Sequence, residues 1–286
     1  MDYYALDFNM MEKSRISLAG YLTRLQAGGR VSFTRGEALE ATRLSDAAFL
    51  KGAARLQRKH MLFNPRHGFY VAVPPQFLSW GAPPPSWYID DLMRHEGKPY
   101  YVGLLKAAEL HGATHHAVME FQVVTDRQLP KIRAGRSYIV FYFRKEIKPV
   151  LSAVERRKTD TGSMAVSSVE LTCLDLIRYV HAVGGFDAVA TALADLGDKI
   201  DGEKLAVIAP YFERATIQRL GYLLDHLGHA AAAESLHHQL FVQSAVPWVK
   251  LDPARRKDKI VSTEGEPAEK NARWRVVVQY LPEVDE

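Results

Sequence analysis

One cysteine, Cys173, stands among 286 residues, so no intramolecular disulfide can form and the chain suits a reducing compartment. No apolar run reaches the about 18 residues that a membrane-spanning helix needs. The longest β-like apolar stretch is Tyr138 to Phe143. The first residues, Met1-Asp2-Tyr3-Tyr4-Ala5-Leu6-Asp7-Phe8, are acidic and interrupted, unlike a signal peptide, so a cytoplasmic protein is expected. Met10 and Met11 are alternative starts. A Gly-rich phosphate loop, a Gly-x-Ser-x-Gly elbow and a nuclease-type acidic pair followed by Glu-x-Lys are all missing, so the chain reads as no enzyme and calls for no cofactor. His111 and His115 are spaced i, i+4 with His116 adjacent, but Gly112 interrupts the helix and no third ligand is evident, so no metal site is expected. His226, His229, His237 and His238 read as surface positions. Cys173, near Leu176 and Ile177, reads as a buried small hydrophobe.

Positive charge is present but unevenly spread. The whole chain carries +4, whereas residues 13–80 hold 11 Lys+Arg against 3 Asp+Glu, so the remainder sums to −4. A cationic segment in an otherwise acidic chain points to a polyanionic partner for that segment.

Within it, residues 44–59 form a helix pattern. At ~100° per residue, Ala47, Ala48, Lys51, Arg55, Arg58 and Lys59 share an arc of roughly 120°, and Phe49, Leu50, Ala53 and Leu56 lie on the other side. Small residues in the first turn followed by four cations suit a helix that slides into the major groove. Residues 14–26 place Ile16, Ala19, Leu22 and Leu25 at helical spacing and stop at Gly28-Gly29. Val31-Ser32-Phe33 is β-like. Thr34 with Glu37 forms a capping box that starts a helix over 35–43, and Ser45 caps the cationic helix, with Asp46 in its first turn. Met61-Leu62-Phe63 and residues 69–73 flank the turn Asn64-Pro65-Arg66-His67-Gly68, a hairpin with Arg66 and His67 at its tip. Helix, strand, helix, helix, hairpin is the order of a winged helix-turn-helix, and double-stranded DNA is the expected partner.

The fold class expected is α+β: an N-terminal winged helix-turn-helix, then a mixed α/β C-terminal domain with a helical second half. Residues 1–13 are an N-terminal extension, 14–75 the DNA-binding domain and 76–86 a Pro-rich connector whose Phe77, Leu78 and Trp80 suit docking. Residues 87–286 form the C-terminal domain. Within that domain, 87–166 reads as α/β. A helix capped by Ser86 runs through Met93, a second covers 100–111, and strands cover 121–125 and 138–143, the latter apolar enough for burial on both faces. Residues 150–163 read as a charged connector and 164–166 as a short strand. Helices follow at 170–180, 187–196, 203–209, 211–227 and 230–240. The C-terminal part, 241–286, holds strands at 245–251 and 274–280 around a polar loop, 252–273. The basic groups Arg144-Lys145 with Arg156-Arg157-Lys158, and Arg255-Arg256-Lys257 with Lys259, read first as solvated charge and otherwise as a second phosphate surface.

Taken in order, these segments resemble the AbiE-type antitoxins of type IV toxin–antitoxin systems, also described as transcriptional regulators of abortive-infection phage defence. The resemblance rests on Arg35-Gly36-Glu37-Ala38, residues 53–59, Gly68-Phe69-Tyr70-Val71, Gly81-Ala82-Pro83-Pro84-Pro85 and Ile89-Asp90-Asp91-Leu92-Met93. It continues through residues 99–112, 121–126, 174–179 and 219–224, covering nearly all of 14–228. It implies a winged helix that represses its own operon at inverted repeats and a C-terminal antitoxin domain. It also implies a nucleotidyltransferase-like toxin encoded alongside, without a stable complex between the two. Inverted repeats call for two copies acting together on DNA.

The DNA-contacting residues expected are Lys51, Arg55 and Arg58 in the major groove beside the small Ala47. Ser32, Thr34, Arg43, Ser45 and Lys59 are expected on flanking phosphates with Arg35 nearby, and Arg66 and His67 on the backbone or adjacent minor groove. The alternatives are a metabolite-responsive regulator with a ligand-sensing C-terminal domain, or an enzyme whose winged helix mediates only protein contacts.

Overall fold

A computed structural model describes residues 16–113, 118–241, 246–254 and 269–284 of the chain. Its mixed α+β elements fall into two compact units. The first holds residues up to 98 together with 131–139 and 158–164; the second holds 99–130, 140–157 and the residues from 165 onward. The first unit therefore continues past 75 and past the Pro-rich stretch, and it gathers two segments distant in sequence.

The first unit begins with α1 (Leu18–Ala27), capped by the Ser17 hydroxyl on the Gly20 amide and stopped at Gly28-Gly29. After β1 (Ser32–Thr34) comes α2 (Arg35–Thr42), where Thr34 accepts from the Glu37 amide and Glu37 accepts from the Thr34 amide. Arg43 ends α2 in a left-handed conformation, φ 53°. The helix α3 (Asp46–Arg58) starts at Ser45, whose hydroxyl accepts from the Ala48 amide. The strands β2 (Leu62–Arg66) and β3 (Phe69–Ala72) form a hairpin with a register shift between Phe63 and Arg66. With β1 they form an antiparallel sheet in the order β1-β3-β2. Leu18, Leu22 and Leu25 of α1, Phe49, Ala53 and Leu56 of α3, and Phe33, Leu62 and Tyr70 of the sheet share one buried cluster. Tyr70 stacks on Phe33 and meets Phe49 edge-on, centroids 5.6 and 5.2 Å apart. Burying Phe49 alone contributes about 1.5–3 kcal/mol.

Two 3-10 turns follow, Pro75–Phe77 and Pro85–Trp87, then α4 (Ile89–Glu96). Ser86 caps nothing. The fixed φ of Pro84 and Pro85 winds a 3-10 turn through Trp87, which delays the helix to Ile89. Phe77 packs against Trp80 and Trp87 at 5.5 and 5.2 Å, so the connector folds on itself as a small aromatic cluster.

Residues 100–111 are not one helix. Tyr100–Val102 is a buried strand, β4, and only Leu104–Leu110 is helical, α5. Two tyrosines and a valine before Gly103 favour the pleated state over the weak helical spacing. The strands β5 (Glu120–Thr125), β6 (Ile132–Ala134), β7 (Ser137–Phe143), β8 (Val154–Thr159) and β9 (Gly162–Ser167) complete a sheet of order β6-β7-β5-β4-β9-β8. β4 is antiparallel to β5, with Tyr101 opposite Val124, and parallel to β9 through Val102 and Val166. Only Ile139 of β7 is fully buried, so the expectation of burial on both faces fails. Aromatic residues fit a half-covered pleat as readily as a closed one. The expected charged connector contains β8, whose charges suit a sheet edge.

In the second unit, α6 (Val169–Arg178), α7 (Phe186–Leu196), α8 (Gly202–Ile208), α9 (Arg214–His226) and α10 (Ala230–Phe241) follow the expected helical half, with α9 starting three residues late after a 3-10 turn at Ala209–Tyr211. β10 (Val249–Lys250), β11 (Glu269–Asn271) and β12 (Val276–Val278) form a small sheet in the order β10-β12-β11. β11 lies in what reads as a loop.

Candidate nucleic-acid interface

The helix α3 sorts its residues by face. Phe49, Ala53 and Leu56 are buried, whereas Ala47, Ala48, Lys51, Arg55, Arg58 and Lys59 are exposed. Leu50 departs from the expected division, since it is 48% exposed and stands beside the cationic face. Among the described residues no carboxylate pairs with Lys51, Arg55, Arg58 or Lys59, while the Arg58 Nε only reaches the Ala54 carbonyl at 3.4 Å. The face is a set of free cations on a rigid element. No carboxylate among the described residues needs to be displaced before they meet phosphates or guanine edges.

The residues around α3 divide into two groups. Thr34 and Ser45 are helix caps whose hydroxyl oxygens accept from main-chain amides, which leaves each hydroxyl proton free to donate. Arg43 is exposed at the turn before α3. Arg35 holds Asp46 at 2.7 Å and anchors its own amide on the Gly68 carbonyl, tying the start of α2 to the β2–β3 turn.

Ser32 and Arg66 do not fit the expected role. Ser32 is 2% exposed and donates to an Asp91 carboxylate oxygen of α4. Arg66 is half-buried, its Nε 3.2 Å from Glu96. His67 is exposed, but its carbonyl sits 3.1 Å from His95 Nε2. Helix α4 therefore holds β1 and the hairpin through Asp91, His95 and Glu96. Those partners lie about thirty to sixty residues away in sequence, and no local pattern announces them. A cleft of about 300 Å³ opens between these elements, lined by Arg30, Glu37, Asp91, Arg94 and His95 among others, a mixture of both signs that offers no single ligand chemistry.

In the second unit the basic residue Arg144, read above with Lys145 as part of a charged group, is 1% exposed. Its guanidinium donates to Asp175 at 3.1 Å and to the Glu146 and Tyr211 carbonyls at 3.0 Å each, and lies 4.2 Å from the Phe212 ring centroid. The second Asp175 oxygen accepts from the Tyr101 hydroxyl at 2.6 Å. Arg144 is thus a core residue and no phosphate contact. A cleft of about 420 Å³ in this unit is lined by Ser152, Glu155, Glu170, Glu203, Lys204 and Val207 among others. Burial raises the Cys173 thiol well above its usual range, as suits a core position. His111 caps α5 and contacts the Ser167 carbonyl, whereas His115 and His116, like Arg255, Arg256, Lys257 and Lys259, lie outside the described residues. No described helix is long and apolar enough to cross a membrane.

Comparison with known proteins adds the following. Residues 101–226 match a family model described as the AbiEi antitoxin C-terminal domain. The whole fold is similar to the crystal structure of the RV2827C protein from Mycobacterium tuberculosis, with a TM-score of 0.68 over 93% of each chain at 15% identity. At that identity the likeness concerns the fold alone. A search of curated proteins gives no match.

Proposed function

We propose that the chain is the antitoxin of a toxin–antitoxin pair, a reading supported by the match of residues 101–226 to the AbiEi antitoxin C-terminal domain, and that its first unit is a winged helix-turn-helix that represses transcription from its own promoter. The observation that carries this reading is the exposed, unpaired cationic face of α3, Lys51, Arg55, Arg58 and Lys59, on a helix whose first turn exposes Ala47 and Ala48. The element order α1-β1-α2-α3-β2-β3 supports it. On this reading α3 enters the major groove, Thr34, Arg43 and Ser45 meet flanking phosphates, Arg35 holds Asp46 at the start of α3, and the exposed His67 reaches the adjacent backbone. The second unit carries the antitoxin activity against a nucleotidyltransferase-like toxin, in a type IV system of phage defence, without a stable complex with that toxin and with no catalysis of its own.

Titration of the protein against its upstream DNA and a scrambled duplex, over a range of salt concentrations, tests this. A preference of ~10³-fold or more for the upstream DNA, falling steeply with salt, is expected. Arg55→Ala should cost about 1–3 kcal/mol on the upstream DNA and relax specificity at one base pair, while Lys59→Ala should weaken both duplexes alike. Equal losses from both substitutions on both duplexes would remove the base-reading role of Arg55. Equal weak binding of the unaltered protein to both duplexes would end the repressor reading.

A second reading, a metabolite-responsive regulator, draws on the 420 Å³ cleft of the second unit. A metabolite that shifts both the thermal midpoint and the DNA affinity would favour it.

A further inference from the structure

The first unit contains a second set of free cations, on the hairpin formed by β6 and the start of β7. Lys131, Arg133 and Arg136 are exposed, and residues 131–139 contain no acidic residue. No carboxylate among the described residues pairs with any of the three. The alternation Ile132 in, Arg133 out, Ala134 in fixes the hairpin's inner face against the unit, where β6 packs beside β2, and turns its cations outward.

Two of the three cations are also held in place by aromatic rings. Arg133 stands directly opposite Tyr138 across the ladder. Lys131 Nζ lies 5.1 Å from the Tyr138 ring centroid, and the Arg136 guanidinium lies 5.5 Å from that of Trp80. Both rings remain exposed, Tyr138 by 38% and Trp80 by 43%. Stacking on an aromatic face limits the rotamers of a long cationic side chain and leaves its N–H groups free for phosphate oxygens.

The hairpin turn has a defined place in the unit. Gly135 has φ +62°, and a Cβ there would stand 2.5 Å from the Trp80 carbonyl oxygen, so the turn is seated on the Trp80 main chain. The next residue, Gly81, faces the His60 ring, at 3.4 Å for a built Cβ. His60 directly follows Lys59 at the end of α3. Lys59-His60, Trp80-Gly81 and Gly135-Arg136 are therefore consecutive neighbours, which brings the hairpin turn near the C-terminal end of α3.

We propose that the β6–β7 hairpin is a second DNA-contact element, in which Lys131, Arg133 and Arg136 hold the sugar–phosphate backbone of duplex DNA beyond the segment that α3 occupies. The proposal rests on the DNA-binding reading of α3. The hairpin cations would lengthen the footprint and add affinity without base preference, because phosphates carry no sequence information.

The test compares the full-length protein with its Lys131→Gln/Arg133→Gln/Arg136→Gln variant by anisotropy of labelled DNA. The probes are the upstream duplex, a scrambled duplex and a trimmed duplex lacking the flanks, each over a salt series. The substitutions lie on an exposed face, and an unchanged thermal midpoint checks the fold. The single variant Arg133→Gln serves if the triple variant melts early. The triple variant should bind the upstream duplex ~10-fold or more weaker, with a salt slope shallower by about 0.9 for each phosphate that is no longer neutralised. Its ratio of upstream to scrambled affinity should be unchanged, and on the trimmed duplex it should match the unaltered protein. Unchanged affinity and slope on the long duplex overturn the hairpin contact and leave the repressor reading standing. If the unaltered protein binds upstream and scrambled DNA equally while the variant binds both more weakly, the hairpin contact holds and sequence-specific repression fails. No binding by either protein overturns both.

Discussion

At the scale of single residues, the second unit stores an ion pair where a core would ordinarily be apolar. Asp175 is fully buried, and burial pushes its carboxyl up to about 6 against the opposing pull of Arg144 and the Tyr101 hydroxyl. The folded chain therefore holds this proton more tightly than the unfolded chain, whose carboxyl keeps the ordinary value of 3.8. Stability from this group is fully present below that value and is lost as pH rises towards 6 and past it, by about 3 kcal/mol in total. Asp175→Asn removes the titration. Urea unfolding should show the unaltered protein gaining on this variant between pH 7.5 and pH 4.5, and a constant difference would refute the shift. Arg144→Met leaves the carboxylate buried without its cation, at a cost of about 3–5 kcal/mol at pH 7.5 and less at pH 5, where Asp175 takes up a proton. Neither residue was legible as a pair in the sequence, because 31 positions separate them and Arg144 sits in what reads as a surface charge group.

At the scale of elements, the local signals that worked were those whose partners lie within one turn. The Thr34–Glu37 capping box and the Ser45 cap bring their groups together as soon as the helices form. Ser45→Ala should cost about 1 kcal/mol of stability, read as a lower urea midpoint at unchanged slope, because the Ala48 amide loses its acceptor. If the cap also meets a phosphate, the variant should lose DNA affinity beyond that loss of stability. The elements misread were those decided by neighbours in space. β4 looks helical until its pairing with β5 and β9 is known, and β8 looks like a connector until it takes the edge of a sheet. β7 looks doubly covered because its residues are apolar, although Tyr138 and Phe143 remain exposed. Ser32 and Arg66 belong to the same class. Each is a reasonable phosphate contact by type and position, and each is taken up by a carboxylate of α4.

At the scale of the whole molecule, the unit that carries α3 is assembled from three stretches of chain, up to 98, 131–139 and 158–164. A fragment ending at residue 98 would lack the hairpin seated on the Trp80 carbonyl and packed beside β2. Its amides in β2 and β3 should exchange hydrogen faster than the same amides in the full chain, and equal protection in both would show the first stretch to be self-sufficient. The sequence by itself determined the helices α1, α2, α3 and α6 to α10, the concentration of cations near the start and the exposed cationic face of α3. It also carried the resemblance that the match over residues 101–226 supports. All of these depend on residue type and on spacings within a few turns. Only the tertiary structure decided which cations are free. It buried Arg144, engaged Arg66 and left Lys131, Arg133 and Arg136 exposed beside Trp80 and Tyr138. Whether a charge is paired depends on groups brought within about 4 Å by folding, and a Coulomb interaction at that range is set by distance and burial, neither of which a linear pattern encodes.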